Sequence, residues 1–272
     1  TYDGKFHESV TSITLKDGNG NEISQDGWAI TYNGQSTMPQ YQDAETYTVV
    51  VKASNPNYCD VTATVTVKIA PRPVTFTSPN KTQEYNGQAL VGNSSEFTAN
   101  GLVAGESVTY ENFASITNVG STTNTIHVVW GGVKESNYAV TKNEGALTIT
   151  KNTNHDQSVS LTATAYSGTY DGQSHALITD KNVTGAVAGN TWTYTYSTDG
   201  TTYSAEMPTR TDAGTTTVYV KAECPNYETR MAQADIEITK RTVTLTSASG
   251  TKSYDGTPLI DSTVTVLSLI HI

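Results

Sequence analysis

Apolar and polar positions alternate with a period of two along most of the chain, and the stretch from residue 158 to 240 shows it best. Val159, Leu161 and Ala163 alternate with polar residues, Trp192, Tyr194 and Tyr196 alternate over threonines, and Val218, Val220 and Ala222 face one way within Thr216 to Ala222. Such alternation is the mark of half-buried strands. Turn residues punctuate it: Tyr170-Asp171-Gly172 before Ala176-Leu177-Ile178, then Asp199-Gly200, Asp212-Ala213-Gly214 and Pro225-Asn226 before a last strand ending at Ile236-Glu237-Ile238-Thr239. Asp199-Gly200 between two alternating segments predicts a type I′ hairpin. No segment carries the i, i+3, i+4, i+7 apolar spacing of a capped helix. Short strands with a turn every few residues predict an all-β fold of tandem immunoglobulin-like β-sandwich modules in an extended array. The alternative, β-grasp-like modules, requires a helix that the pattern does not supply.

The pattern is copied. Tyr2-Asp3-Gly4, Tyr85-Asn86-Gly87, Tyr170-Asp171-Gly172 and Tyr254-Asp255-Gly256 lie 83, 85 and 84 residues apart, so the chain is a tandem array. The first and third copies share Trp28/Trp192, Tyr32/Tyr196, Met38-Pro39/Met207-Pro208, Asp43-Ala44/Asp212-Ala213, Lys52-Ala53/Lys221-Ala222 and Pro56-Asn57-Tyr58/Pro225-Asn226-Tyr227. The third carries a longer loop around Asp199-Gly200. The second copy is a variant, with Gly101-Leu102-Val103-Ala104-Gly105-Glu106, Asn118-Val119-Gly120 and Ser136-Asn137-Tyr138, and the fourth opens like it, with Leu259 placed as Leu90 is. The order is A-B-A-B. The modules expected are 1–71 (type A, first strand missing), 72–151 (type B), 158–240 (type A) and 241–272 (truncated type B), packed independently in single file. Lys68 to Val74 and Ile238 to Val243 read as short extended joints, and Lys151 to Gln157 as the flexible one.

Composition changes the picture mainly by exclusion. A net charge of −10, with only 15% of residues charged, gives no basic patch for nucleic acid or anionic membrane. No run of 18 apolar residues and no signal peptide is present. Thr1 stands beside the first Tyr-Asp-Gly without the strand that precedes the other three, so the chain reads as an internal fragment with export and anchoring signals outside it. Cys59 and Cys224 occupy non-equivalent positions in modules separated by a third, and the geometry of a disulfide makes them two free thiols.

Candidate chemistry is weighed residue by residue and yields no catalytic, cofactor-binding or metal site. His7 and His175 share one slot, but Leu90 and Leu259 fill it in the other copies, which marks a packing position. His127, His155 and His271 have no partners at ligand spacing. Asp17-Gly18-Asn19-Gly20-Asn21-Glu22 opens like a calcium loop yet has Glu22 where glycine belongs and Trp28 where a bidentate glutamate belongs, so a polar hairpin tip is expected. Lys52 and Lys221, candidates for an isopeptide crosslink, fall between outward-facing alternations and are expected to be exposed. Nothing supplies a nucleophile elbow, a Cys/His pair or a phosphate-cradling loop, so no enzyme and no cofactor are expected. Trp28/Trp192 and Tyr32/Tyr196 could stack on sugar rings, but repeated aromatics on one strand face fill a small core.

The Tyr-Asp-Gly start, the Asp-Ala-Gly or Asn-Val-Gly before the penultimate strand, the Asn-Tyr turn and the ending Ile238-Thr239-Lys240-Arg241-Thr242-Val243 together resemble the YDG/MBG-type repeats of bacterial surface proteins, up to about Val266. The resemblance implies exported, multi-repeat, adhesin-like proteins of the bacterial cell surface or cell wall, with repeats serving as stalk or adhesive units. The function expected is a non-enzymatic structural stalk or spacer. The alternatives are repeats that themselves bind host or microbial glycan, mucin or protein, and an accessory region of a large secreted glycosidase. The tail from about Leu267 departs from the second copy and looks like translated adaptor sequence.

Overall fold

The computed structural model describes residues 1–154, 157–247 and 249–260, with the backbone of 264–267. The tail beyond Leu267, His155 and His271 lie outside the described residues. Among the described residues there is no α-helix, only two 3-10 turns at Ser94–Glu96 and Glu135–Asn137. The helix that a β-grasp module requires is therefore missing from the described residues. The chain divides into two compact units, one formed by 1–83 and 89–149, the other by 84–88 and 150–272.

In the second unit, the third copy forms two facing layers. One is a four-stranded sheet in the order Ser167–Thr169, Tyr227–Thr239, Gly214–Cys224, Thr193–Ser197, in which the first pair is parallel and the others antiparallel. The other pairs Ser160–Ala165 with Ile178–Thr184 and, further on, His175–Ala176 with Thr209–Arg210. A short second strand lying parallel to the last one, and two layers enclosing one core, make an immunoglobulin-like sandwich. Inward positions follow the predicted alternation: Val218, Val220, Ala222 and Ile236 are wholly buried and pack with Leu161, Leu177, Ile178, Tyr196 and Ile238. Thr244–Ser247 pairs with Val264–Leu267 as a separate hairpin.

The first unit holds the first copy and most of the second. Ala29–Tyr32, Thr46–Asn55 and Tyr58–Lys68 form an antiparallel sheet. Its Val49 and Val51 pack with Val10, Ile13, Ile30, Tyr32, Met38, Tyr41 and Val65. In the second copy, Arg72–Thr77 lies between Thr98–Asn100 and Tyr138–Asn143, parallel to the latter. The copies do not pack independently here. Tyr2 and Ile69 join Val74, Phe76, Phe97, Ile126 and Tyr138 in one cluster, with Tyr41 and Tyr47 against it. The ends of the first copy thus share an apolar cluster with the second, which keeps Tyr2 and Ile69 out of water.

Two local readings also change. Around Asp199-Gly200 only Gly200 has positive φ, at 74°, whereas a type I′ turn needs two such residues. Tyr196 and Ser204 exchange backbone hydrogen bonds of 2.8 and 2.9 Å around a wider loop. Asp199 holds it by accepting from Thr201 N–H, Thr202 N–H and the Ser197 hydroxyl at 2.7 to 2.8 Å. Within Lys151 to Gln157, polar composition suggests slack, yet Asn152 is tied. Its N–H donates to Asn226 O at 2.9 Å and its carbonyl accepts from Glu228 N–H at 3.0 Å.

Candidate functional site at the tyrosine turns

The repeated Tyr-Asp/Asn-Gly has one physical form in all four copies. The middle side chain accepts a hydrogen bond from the backbone N–H two residues on: Asp3 from Lys5 (3.0 Å), Asn86 from Gln88 (2.8 Å), Asp171 from Gln173 (2.9 Å), Asp255 from Thr257 (3.0 Å). This Asx turn explains why only Asp or Asn stands there. The glycine follows at φ of 75 to 80° in every copy, a region that side chains disfavour. In three copies the tyrosine's backbone is pinned to the end of a preceding or following strand. Tyr2 N–H donates to Ala70 O, Tyr85 to Thr150 O and Tyr170 to Thr239 O, at 2.8 to 2.9 Å.

Two of these rings are seated in matching sockets. In the second unit Tyr85, 4% exposed, meets the ring of Tyr227 edge-on, with centroids 5.3 Å apart, and Tyr227 lies tilted on Trp192 at 5.3 Å. Val187 N–H donates to the Tyr227 hydroxyl at 2.9 Å, and Asn190 Nδ2 donates to the Tyr85 hydroxyl at 2.9 Å. Asn226 Nδ2 donates to Asn190 Oδ1 at 2.9 Å, which fixes the amide. Gly87 presses against Val187 so closely that a Cβ there would come within 2.6 Å of it.

The first unit repeats the device. Tyr2, also 4% exposed, meets Tyr138 edge-on at 5.5 Å, and Tyr138 stacks on Trp130 at 5.4 Å. Val103 N–H donates to the Tyr138 hydroxyl at 2.9 Å, and a Cβ on Gly4 would come within 2.9 Å of Val103. Both phenols, Tyr2 and Tyr138, donate to the Glu106 carboxylate. Burial, and after it the hydrogen bond to the Glu106 carboxylate, push the Tyr2 phenol up to about 12 and the Tyr138 phenol upward. Beside them Asn137, 2% exposed, accepts from Ala44 N–H at 2.7 Å and donates to Asp43 at 2.9 Å. Lys134 pairs with Asp43 and, with Asn137, holds its carboxyl below the ordinary range.

The socket lip was not recognised in the sequence. Gly101-Leu102-Val103-Ala104-Gly105-Glu106 matches Gly185-Ala186-Val187-Ala188-Gly189-Asn190, a shared Gly-x-Val-Ala-Gly that alignment of the second and third copies would have exposed. The role of the Asn-Tyr turn was equally hidden, because Tyr138 and Tyr227 act through rings that belong to distant positions.

The other candidates fall as follows. His7 and His175 do more than pack: each places Nε2 2.8 to 2.9 Å from the turn aspartate, Asp3 or Asp171, and His175 also stacks on Tyr166. A histidine reaches back to an acidic turn, which leucine at the same slot cannot do. Asp17 spends its carboxylate on its own loop, accepting from Asn19 and Asn21 N–H at 2.9 Å. Among the described residues, no three Cys, His, Asp or Glu side chains gather as a metal site would need. Lys52 pairs with Asp60 at 2.7 Å, both about half exposed, and Lys221 with Glu223 at 3.3 Å. Cys59 and Cys224 are free thiols, the first exposed and the second buried. Tyr196 is core, Trp192 packs against that core and also forms the floor of a socket, and Tyr32 lies against the first copy's core.

No family model and no curated protein matches the chain. Solved structures it is similar to include protocadherin gamma B2 extracellular cadherin domains 3-6, at 9% identity over 87% of this chain and 71% of that one, TM-score 0.28. Drosophila N-cadherin EC1-3 gives 9% over 88% and 95%, TM-score 0.28, and the human desmocollin-1 ectodomain 9% over 91% and 60%, TM-score 0.25. The fold class stands on the strand pairing above: tandem immunoglobulin-like β-sandwich modules.

Proposed function

We propose that the chain is a run of non-enzymatic structural repeats, spacer units of an extracellular bacterial surface or secreted adhesin-like protein of the YDG/MBG type. The observation that carries this reading is the recurrence of one joint. At two of the four turns, Tyr2 and Tyr85, the copied tyrosine and its glycine seat against the Asn-Tyr tyrosine of the next copy, Tyr138 or Tyr227. Copying a joint is what an array needs. A second reading, repeats that bind glycan or protein, is favoured by the half-buried Trp28 and the exposed Tyr58 of the first copy. The test is binding of the full chain to a glycan array and to immobilised mucin. The spacer reading expects no saturable signal above that of Trp28→Ala; saturable binding lost in that variant would establish the adhesive reading instead.

A further inference from the structure

Beside the first socket the chain walls a polar space that the joint does not use. A cleft of about 510 Å³ lies between the loop Gln42-Asp43, the lip Gly105-Glu106-Ser107 and the stretch Gly131 to Lys134 with Asn137, all within the first unit. Asn137, 2% exposed, fixes Asp43 through its 2.9 Å hydrogen bond, and Lys134 pairs with the same carboxylate. Glu106 takes one phenol on each oxygen, Tyr2 on Oε1 and Tyr138 on Oε2. A carboxylate offers about four acceptor sites, so Asp43 and Glu106 both keep spare capacity. Lys134, with 67% of its side chain exposed, keeps spare donors, and Ser107 adds an exposed hydroxyl. Backbone lines the rest: a Cβ on Gly105 or Gly132 would meet nothing within 4 Å.

These walls exclude three classes of ligand. Two carboxylates against one lysine leave no surplus positive charge for an anion. Among the described residues no third Cys, His, Asp or Glu joins them as a metal site would need. An apolar ligand would strand the polar groups without partners. What fits is a neutral molecule carrying donors and acceptors side by side. We propose that the cleft is a saccharide subsite in which the Asp43–Lys134 pair reads a vicinal diol: one hydroxyl donates to the Asp43 carboxylate, and its neighbour accepts from Lys134 Nζ. Glu106 and Ser107 meet hydroxyls further round the ring. The volume lies within the roughly 300–1,000 Å³ of small-molecule sites. A single ring in an open cleft binds weakly, with Kd of about 1–10 mM. Such binding goes beyond the spacing role and does not rest on it, since unfolding of Tyr85→Ala decides that role whichever way the cleft behaves.

The test is an amide chemical-shift titration of the full 15N-labelled chain with methyl α-mannoside, methyl β-galactoside and methyl β-glucoside, each to about 50 mM to pass a millimolar Kd. The control is 2-(hydroxymethyl)tetrahydropyran, the same ring without a diol. At least one glycoside should give saturable shifts at Gly105, Gly131, Gly132 and Lys134, and the control none. Asp43→Asn and Lys134→Met should each weaken binding about tenfold, the share of one hydrogen bond to a charged group. Ser107→Trp, at an exposed position, should fill the cleft and abolish binding with the fold intact, so the proposal stays testable even where Asp43→Asn disturbs the joint. Trp28→Ala should change nothing, which separates this subsite from the aromatic pair of the first copy. No saturable shift with any glycoside, an equal response to the control, binding that survives Ser107→Trp, or binding lost in Trp28→Ala overturns the proposal.

Discussion

Tyr2 and Tyr85 hold one place in two units, and the difference between them is chemical. The Tyr85 hydroxyl accepts from the neutral amide of Asn190, while Tyr2 donates its own to the Glu106 carboxylate. A phenol held above its ordinary value of 10.0 binds its proton more tightly folded than unfolded. Its contribution is therefore full below pH 10 and is lost as pH rises toward about 12. Denaturation of the first unit should become easier across that window, and Tyr2→Phe should flatten the alkaline loss; ultraviolet titration of tyrosine ionisation alongside unfolding checks it. The turn glycines supply a second comparison. Gly87 and Gly256 share positive φ, but a Cβ meets Val187 at 2.6 Å in the first and nothing within 4 Å in the second. Alanine at either position costs roughly 1 kcal/mol in backbone strain. Crowding makes Gly87→Ala worse by about 1 kcal/mol or more. Equal losses by denaturant titration would show that the glycine serves the turn alone.

At the scale of the element, the strand Gly214–Cys224 is legible in the sequence from Thr216 to Ala222, because alternation decides which face is buried and one register satisfies it. Val49, Val51, Val218 and Val220 are each 7% exposed or less. The Asp199-Gly200 loop was misread because a dipeptide specifies a turn only when the flanking register closes on it, and here Ser197 and Asp199 cap a longer loop instead. The sockets were illegible for another reason. Local periodicity reports which face of a strand is buried, not which distant turn is buried upon it. Asn137 illustrates this: an apparent turn residue, it is 2% exposed and bridges Ala44 and Asp43. Asn137→Ala leaves the partly buried Ala44 N–H without its acceptor and should destabilise the first unit by about 1–3 kcal/mol, seen as a lower denaturation midpoint with an unchanged slope.

At the scale of the molecule, copying explains why the chain spends its aromatic residues as it does. An enzyme needs a constellation once; a repeat array needs its joints at every copy. The Tyr-Asp/Asn-Gly turn is the most regular feature of the sequence, and where a socket is described around it the tyrosine is buried, the glycine is crowded and a second tyrosine lies beneath. The proposed spacer reading rests on where those side chains are placed. The measurement that tests it most directly is denaturant unfolding of Tyr85→Ala beside Tyr254→Ala, at concentrations where the chain is monomeric. The account predicts a loss of about 3–5 kcal/mol for the first, the usual cost of deleting a buried aromatic, and none for the second. Equal stability of the two variants would contradict it.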